Sequence, residues 1–258
     1  MNFLNNLFSL KNKIAVVTGA ANGNGKSISE ALLRAGAQVI LVDIDEKNLQ
    51  RTKKYFNKLH LKPLIYCCDV TNSEKLGELC DFVLQKFHRI DILVNNAGIT
   101  RGHEIFDYPE EFWDKTYETN LKAPFILSQL FTKTMKKQKS GVIINITSIN
   151  AELAFPNNPA YVSSKGGLKQ LTKSLALDLG KYGIRVNNIG PGYIRTDMTK
   201  KSWLNKSRRK KIEEKTMLGR WGVSEDLSGL VIFLSSDSSS YITGQDFYVD
   251  GGWLAKGL

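Results

Sequence analysis

Short runs of β-branched and apolar residues alternate with helix-length amphipathic segments from one end of the chain to the other. The runs fall at residues 14–18, 39–43, 64–68, 90–95, 142–147, 186–189 and 247–249. Each is apolar on both faces, the pattern of strands buried between two layers of helix. Residues 25–35, 47–59, 73–87, 109–137, 160–182 and 226–235 lie between them with helical spacing and helical length. Parallel strands need a crossover connection, and crossovers are right-handed. The pattern therefore predicts an α/β fold, a doubly wound parallel sheet of seven strands flanked by helices. No repeat, low-complexity tract or linker divides the 258 residues, so one domain is expected over 1–258. The basic segment at 200–215 breaks the alternation after the sixth strand, and 197–217 reads as a substrate lid.

The net charge of +11 raises the question of a nucleic-acid partner. The cations are spread along helices, with one denser run at Lys200, Lys201, Lys206, Arg208, Arg209, Lys210, Lys211 and Lys215. No zinc ligands, aromatic RNA-binding motif or helix-turn-helix pattern accompanies them, so no nucleic acid is expected. The run reads as a solvated helix face, or as a field that attracts an anionic substrate or partner. No apolar run approaches the roughly 18 residues that cross a bilayer, so no membrane partner is expected. Residues 1–10 lack signal-peptide features and read as a short amphipathic lead-in packed on the body. Cys67, Cys68 and Cys80 are too few for a disulfide framework, which points to a reducing cytoplasm. His60, His88 and His103 show no metal-ligand spacing, and no catalytic metal is expected.

The first strand runs directly into Gly19, Asn22, Gly23, Asn24 and Gly25, which open the first long helix. Glycines placed so allow a tight turn and let backbone approach a pyrophosphate at a helix N-terminus. Asp43 ends the second strand, where a carboxylate can accept hydrogen bonds from ribose hydroxyls and repels a 2′-phosphate. No arginine or lysine lies in the glycine loop or directly after Asp43, so NAD is favoured over NADP. Asp69 and Val70 end the third strand, where the adenine edge would lie. Asn95, Asn96, Ala97 and Gly98 end the fourth, and small residues there let backbone pass close to a cofactor. Asn95 reads equally well as a tie between neighbouring loops.

Tyr161 and Lys165 stand one helical turn apart on one face. An ammonium beside a phenol favours the phenolate and lowers its pKa, and a phenol so tuned exchanges protons with an alcohol or carbonyl.

In this order and spacing, Thr18-Gly19-x-x-x-Gly23-x-Gly25, Asn95-Asn96-Ala97-Gly98, Asn120, Ser148, Tyr161-x-x-x-Lys165 and Pro191-Gly192-x-Ile194-x-Thr196 resemble the short-chain dehydrogenase/reductases over essentially the whole chain. Asn24 departs from the family, which has an apolar residue there. The resemblance implies a Rossmann-type fold and a catalytic set of Asn120, Ser148, Tyr161 and Lys165. Tyr161 would be the acid/base, Lys165 its tuner and a ligand of the nicotinamide ribose, and Ser148 the group that orients the carbonyl. Asn120 would hold a water linking Lys165 to solvent. Thr196, with backbone near Ile194, would hold the nicotinamide carboxamide. It also implies a homotetramer and a small carbonyl or alcohol substrate. Gly219-Arg220-Trp221-Gly222, Phe233-Leu234-Ser235-Ser236 and Val249-Asp250-Gly251-Gly252-Trp253-Leu254 resemble the gluconate 5-dehydrogenase and 2-deoxy-D-gluconate 3-dehydrogenase group. That group implies chemistry on a hydroxyl or ketone of a sugar acid or similar polyol, and with Asp43 the expectation is an NAD-dependent oxidoreductase of that class. The alternative is a 3-oxoacyl-carrier-protein reductase using NADPH; a non-catalytic nucleotide-binding regulator would lack Tyr161 or Lys165. Substrate selection would fall to residues outside the shared set: Arg101, His103, Asn150, Glu152, Asn157, Tyr193, Arg195 and Trp203.

Overall fold

The computed structural model describes residues 3–256. Its centre is a parallel sheet of seven strands: β1 (Ile14–Thr18), β2 (Gln38–Asp43), β3 (Leu64–Cys67), β4 (Ile92–Asn95), β5 (Gly141–Ile146), β6 (Ile184–Pro191) and β7 (Asp246–Val249). Their order across the sheet is β3-β2-β1-β4-β5-β6-β7, so the chain winds outward from β1 in one direction and then from β4 in the other. The helices, in chain order, are α1 (Phe3–Phe8), α2 (Gly23–Arg34), α3 (Glu46–Lys58), α4 (Ser73–Phe87), α5 (Glu110–Tyr117), α6 (Ala123–Gln138), α7 (Pro159–Leu179), α8 (Lys200–Leu204), α9 (Lys206–Lys215) and α10 (Ser228–Ser235).

Successive strand residues point to opposite faces, which explains why the runs are apolar throughout. Val17, Leu41, Val94 and Ile144 pack into one core with Ile28 and Leu32 of α2 and Val231 of α10. Their neighbours Val16, Ile40, Leu93 and Ile143 pack into a second core with Leu79 of α4 and Leu127 and Phe131 of α6. Among the described residues no helix is long and apolar enough to cross a membrane. The adjacent cysteines divide between the faces: Cys67 is exposed and Cys68 buried.

The structure departs from the sequence pattern in several places. The expected helix at 109–137 is broken into α5, a wide π-type turn at Glu118–Lys122, and α6. Pro124 supplies the cause: it has no N–H to donate to the carbonyl of Asn120, and its ring crowds that carbonyl. The Ala123 N–H donates to Glu118 O instead, a five-residue closure. The helix at 160–182 ends at Leu179 in a tighter turn, Gly180–Tyr182. The segment 226–235 starts as a 3-10 turn at Ser224–Leu227. Strand β6 reaches from Ile184 to Pro191 because it pairs on both sides, with β5 and β7. The basic segment forms two helices, split where Asn205 caps α9 by accepting from the Arg208 N–H. The lead-in is buried most deeply at its end: Leu10 is fully buried, while Phe3 and Leu4 are 73% and 57% exposed. Residues 1 and 2 lie outside the described residues.

Candidate active site

The chain segments that leave β1, β4, β5 and β6 surround one cavity of about 600 Å³. The residues read from the sequence as cofactor-binding all line it: Gly19, Asn22, Gly23, Asn24, Gly25, Asp43, Asp69, Val70, Asn96, Ala97, Gly98, Tyr161, Lys165, Pro191, Gly192, Ile194 and Thr196.

The nucleotide end is assembled by backbone held at close range. Gly19 has φ +62, a conformation that favours glycine. A Cβ on Gly25 would stand 2.1 Å from Gly19 O and 2.5 Å from Asn96 Nδ2. Asn96 Nδ2 donates to Thr18 O at 2.8 Å and Gly19 O at 3.0 Å, so its side chain ties the β4 end to the glycine turn. Thr18 Oγ1 accepts from the N–H groups of Asn96 and Ala97, each at 3.0 Å. Asn24 gives its side chain to Ser224, accepting from that hydroxyl at 2.9 Å. A polar residue is therefore satisfied where the family has an apolar one.

Asp43 Oδ2 accepts from the Ala21 N–H and Oδ1 from the Asp45 N–H, both at 3.0 Å. Its carboxylate thus fastens the loops around it and still lines the cavity. Asp69 Oδ1 accepts from the N–H and hydroxyl of Thr71. These residues fit a dinucleotide on two counts. The α2 N-terminus has no side-chain cap from Asn22, so its first amides are left for an anion. The cavity floor beside it is glycine backbone with no room for a Cβ.

At the catalytic end Ser148, Tyr161 and Lys165 line the same cavity. Lys165 is 4% exposed, and its ammonium donates to Ile146 O at 2.7 Å. Burial lowers its pKa from 10.5 to about 8. Its Nζ lies 5.8 Å from the Tyr161 ring centroid. Burial raises the Tyr161 phenol, and the Ser148 hydroxyl opposes that rise. The direction is thus upward, where the spacing to Lys165 led to the expectation of a lowered phenol. Ser148 is held by its own turn. Its Oγ accepts from the Asn150 N–H at 3.1 Å and donates to Asn150 Oδ1 at 3.2 Å.

Asn120 stands behind the cavity in the π-type turn, fully buried. Its Oδ1 accepts from the Ile99 N–H at 2.9 Å, and its Nδ2 donates to Ile99 O at 3.0 Å and Ser164 Oγ at 3.1 Å. The side chain is thus committed to bracing the loop after β4 against α7. Asn95 is likewise a tie, donating to Asn145 Oδ1 at 2.8 Å.

The substrate candidates divide. Arg101 lines the cavity, with its guanidinium 5.0 Å from the Phe112 ring centroid. Asn150 does not line it and orients Ser148 instead. Glu152 is held below the usual carboxylate range by hydrogen bonds from Lys169 and Tyr248, which occupy it away from the cavity. The Asn157 carbonyl accepts from the His103 N–H at 2.9 Å, joining two surface loops. Tyr193 and Trp203 pack in an aromatic cluster around the buried Trp221. Arg195 stacks on Trp203, 4.3 Å from its ring centroid. The sequence reading missed Thr18 as the hub of the nucleotide end; its place beside Gly19 at a strand end was the available signal. It also missed Ile44, Cys68, Lys115 and Met198 in the cavity wall, which carry no motif.

The family model described as "Enoyl-(Acyl carrier protein) reductase" matches residues 19–254. The 3-oxoacyl-[acyl-carrier-protein] reductase of Thermotoga maritima is 39% identical, over 94% of this chain and 98% of its own. The 2-dehydro-3-deoxy-D-gluconate 5-dehydrogenase of Bacillus subtilis is 38% identical, over 99% of this chain and 100% of its own. The crystal structure of a gluconate 5-dehydrogenase from Burkholderia cenocepacia in complex with NADP and tartrate superposes with a TM-score of 0.94, at 30% identity, covering 98% of this chain and 100% of that one. The glycine turn, the Ser148–Tyr161–Lys165 cluster and these likenesses agree: the chain belongs to the short-chain dehydrogenase/reductase family. It is an oxidoreductase that acts on CH–OH groups with a nicotinamide cofactor.

Proposed function

We propose that this enzyme interconverts a hydroxyl and a ketone on a sugar acid or similar polyol, with NAD as its preferred cofactor. The observation that carries the redox reading is the shared cavity, which puts the Tyr161 phenol and Ser148 at one end and the uncapped α2 N-terminus at the other. The bound nicotinamide would give or take the hydride. The protein's own part is to position groups and move one proton.

In the reducing direction Ser148 donates a hydrogen bond to the substrate carbonyl oxygen. The Tyr161 hydroxyl gives that oxygen its proton, and burial, by raising the phenol pKa, keeps the donor form populated. Lys165, held at Ile146 O, stabilises the tyrosinate left behind; its pKa near 8 keeps it able to carry charge at neutral pH. In the oxidising direction the same groups run in reverse. Gly19, Gly23, Gly25 and the α2 amides would hold the pyrophosphate, Asp43 the adenosine ribose, and Ile194 and Thr196 the nicotinamide amide.

Two features support NAD. Asp43 presents a carboxylate to the cavity, and among the described residues the cations in the cavity wall are Arg101, Lys115 and Lys165, none of them next to Asp43 in the sequence. Relatives named for gluconate and deoxygluconate chemistry support the substrate class. The exposed apolar side chains Phe125 of α6 and Leu177 of α7, 41% and 83% exposed, suit burial between subunits of a cytoplasmic homotetramer. α8 and α9, within residues 197–217, form the lid.

NADH and NADPH oxidation against 5-keto-D-gluconate, D-fructose and a 3-oxoacyl thioester tests the reading. NADH-dependent turnover of the keto acid or ketose supports it. NADPH-dependent turnover of the thioester alone would overturn both substrate class and cofactor.

A further inference from the structure

We propose that Thr172, with Lys169 three residues before it, is a positioning residue of catalysis: it joins α7 to a one-way chain of hydrogen bonds that crosses four strands, and so sets where Tyr161 and Lys165 stand. The inference rests on Tyr161 and Lys165 being the reacting pair and names what positions them.

A row of polar side chains crosses the sheet. Asn95 of β4 pairs in register with Asn145 of β5, Asn145 with Asn188 of β6, and Asn188 with Asp246 of β7. Asn95 is 2% exposed, and Asn145 and Asn188 are fully buried. Thr172 of α7, also fully buried, enters this row between β5 and β6. Asn95 Nδ2 donates to Asn145 Oδ1 at 2.8 Å, and Asn145 Nδ2 donates to Thr172 Oγ1 at 2.7 Å. Thr172 Oγ1 donates to Asn188 Oδ1 at 2.6 Å, and Asn188 Nδ2 donates to Asp246 Oδ1 at 2.7 Å. A carboxylate only accepts, so Asp246 fixes the sense of every bond behind it. Bonds aligned head to tail polarise and strengthen one another. Directional bonds to two strands at once fix where a helix stands, which apolar contact does not.

The chain meets the active site from both sides. Asn95 directly precedes Asn96, whose side chain holds the glycine turn. At the other end Lys169 faces Asp246 at 3.8 Å and also bonds Glu152, in the turn that follows Ser148. Tyr248 of β7 donates to the same Glu152 carboxylate at 2.5 Å. α7 is therefore fastened to β5 twice. Lys165 bonds Ile146 O, and Thr172, seven residues and about 10 Å further along the helix, bonds Asn145. One fastening is a pivot; two fix height and tilt together. Tyr161 lies one turn beyond Lys165 on the cavity side, so a tilt about Lys165 carries the phenol away from Ser148. Misplacement of a reacting group by about 1 Å costs on the order of a hundredfold in rate.

The test measures kcat for full-length wild type, Thr172→Val, Thr172→Ser and Lys169→Met, on the carbonyl that the wild type reduces. Sites are counted by titration with the reduced nicotinamide cofactor, so a smaller folded fraction does not enter the rate. For Thr172→Val the expected kcat per site is lower by about tenfold or more, with the cofactor dissociation constant within about threefold of wild type. Thr172→Ser keeps the hydroxyl and should recover most of that loss. Lys169→Met, nearer the surface, should lower kcat per site by about threefold and decides the matter if Thr172→Val yields no folded protein. An unchanged kcat per site in either variant overturns the proposal, as does a loss that Thr172→Ser fails to recover. Tyr161→Phe is run alongside. Turnover surviving in Tyr161→Phe would overturn the reacting pair itself. Turnover lost there but intact in Thr172→Val would overturn only the positioning role.

Discussion

The two ends of the cavity are built by different means. At the nucleotide end, position comes from backbone and buried hydrogen bonds: Thr18, Asn96 and Asp43 each serve two or more neighbouring groups. At the substrate end, α8 and α9 are attached through aromatic stacking and exposed cations, with Trp203 flanked by Arg195 and Arg209. A site that must receive the same cofactor every time gains from rigidity. A segment such as the proposed lid of α8 and α9 gains from side chains that can be exchanged without disturbing the sheet. Tyr161 and Lys165 sit between them, on a helix anchored to the sheet by the Lys165 bond to Ile146 O.

The contrast can be broken most severely at Gly25. Gly25→Ala would push a Cβ to within 2.1 Å of Gly19 O, against backbone with no freedom to yield. NADH affinity, followed by titration, should fall by roughly a hundredfold, and urea unfolding should show a loss of about 3 kcal/mol. A variant that binds NADH normally would show the turn to be looser than its packing implies.

Lys165 sharpens the comparison through pH. Its folded pKa, about 8, lies below the usual 10.5, so above pH 8 the native state gives up a proton that the unfolded chain keeps. Stability therefore gains from this group as pH rises through that window, by up to ~1.4 kcal/mol per unit, and the burial penalty is fully present below it. Urea midpoints for wild type and Lys165→Met, measured from pH 7.5 to 10.5, should converge as pH rises if the wild type carries that penalty. Parallel curves would mean the ammonium is not desolvated.

The smallest effect is expected at Asp43. Asp43→Ser removes the charge that disfavours a 2′-phosphate but can still accept one backbone bond. The ratio of kcat/KM for NADH to that for NADPH should shift toward NADPH by about tenfold. An unchanged ratio would confine Asp43 to bracing Ala21 and Asp45.

Most of the sheet and the nucleotide end were legible because they rest on local rules. Two-faced apolar runs mark buried strands, and Gly19 and Gly25 mark places where backbone packs on backbone. The kink in the long helix was not anticipated, although Pro124 was there to announce it. A proline removes one N–H, but whether the helix ends, bends or widens depends on what the freed segment packs against. Here it is Ile99 and Ser164, brought together with Asn120 only in the fold. The Tyr161–Lys165 spacing correctly placed both groups in one cavity. Spacing carries the charge of the lysine but not the depth of the pocket, and it is burial that raises the phenol.

The most direct measurement of the account is made on Tyr161→Phe. Steady-state turnover of whichever carbonyl the wild type reduces, and NADH binding read by energy transfer from tryptophan, should be followed in the same preparation. Turnover should fall by about a thousandfold or more while the NADH dissociation constant stays within about twofold. Turnover that survives the loss of the phenol would contradict the assignment of Tyr161 as the group that moves the proton.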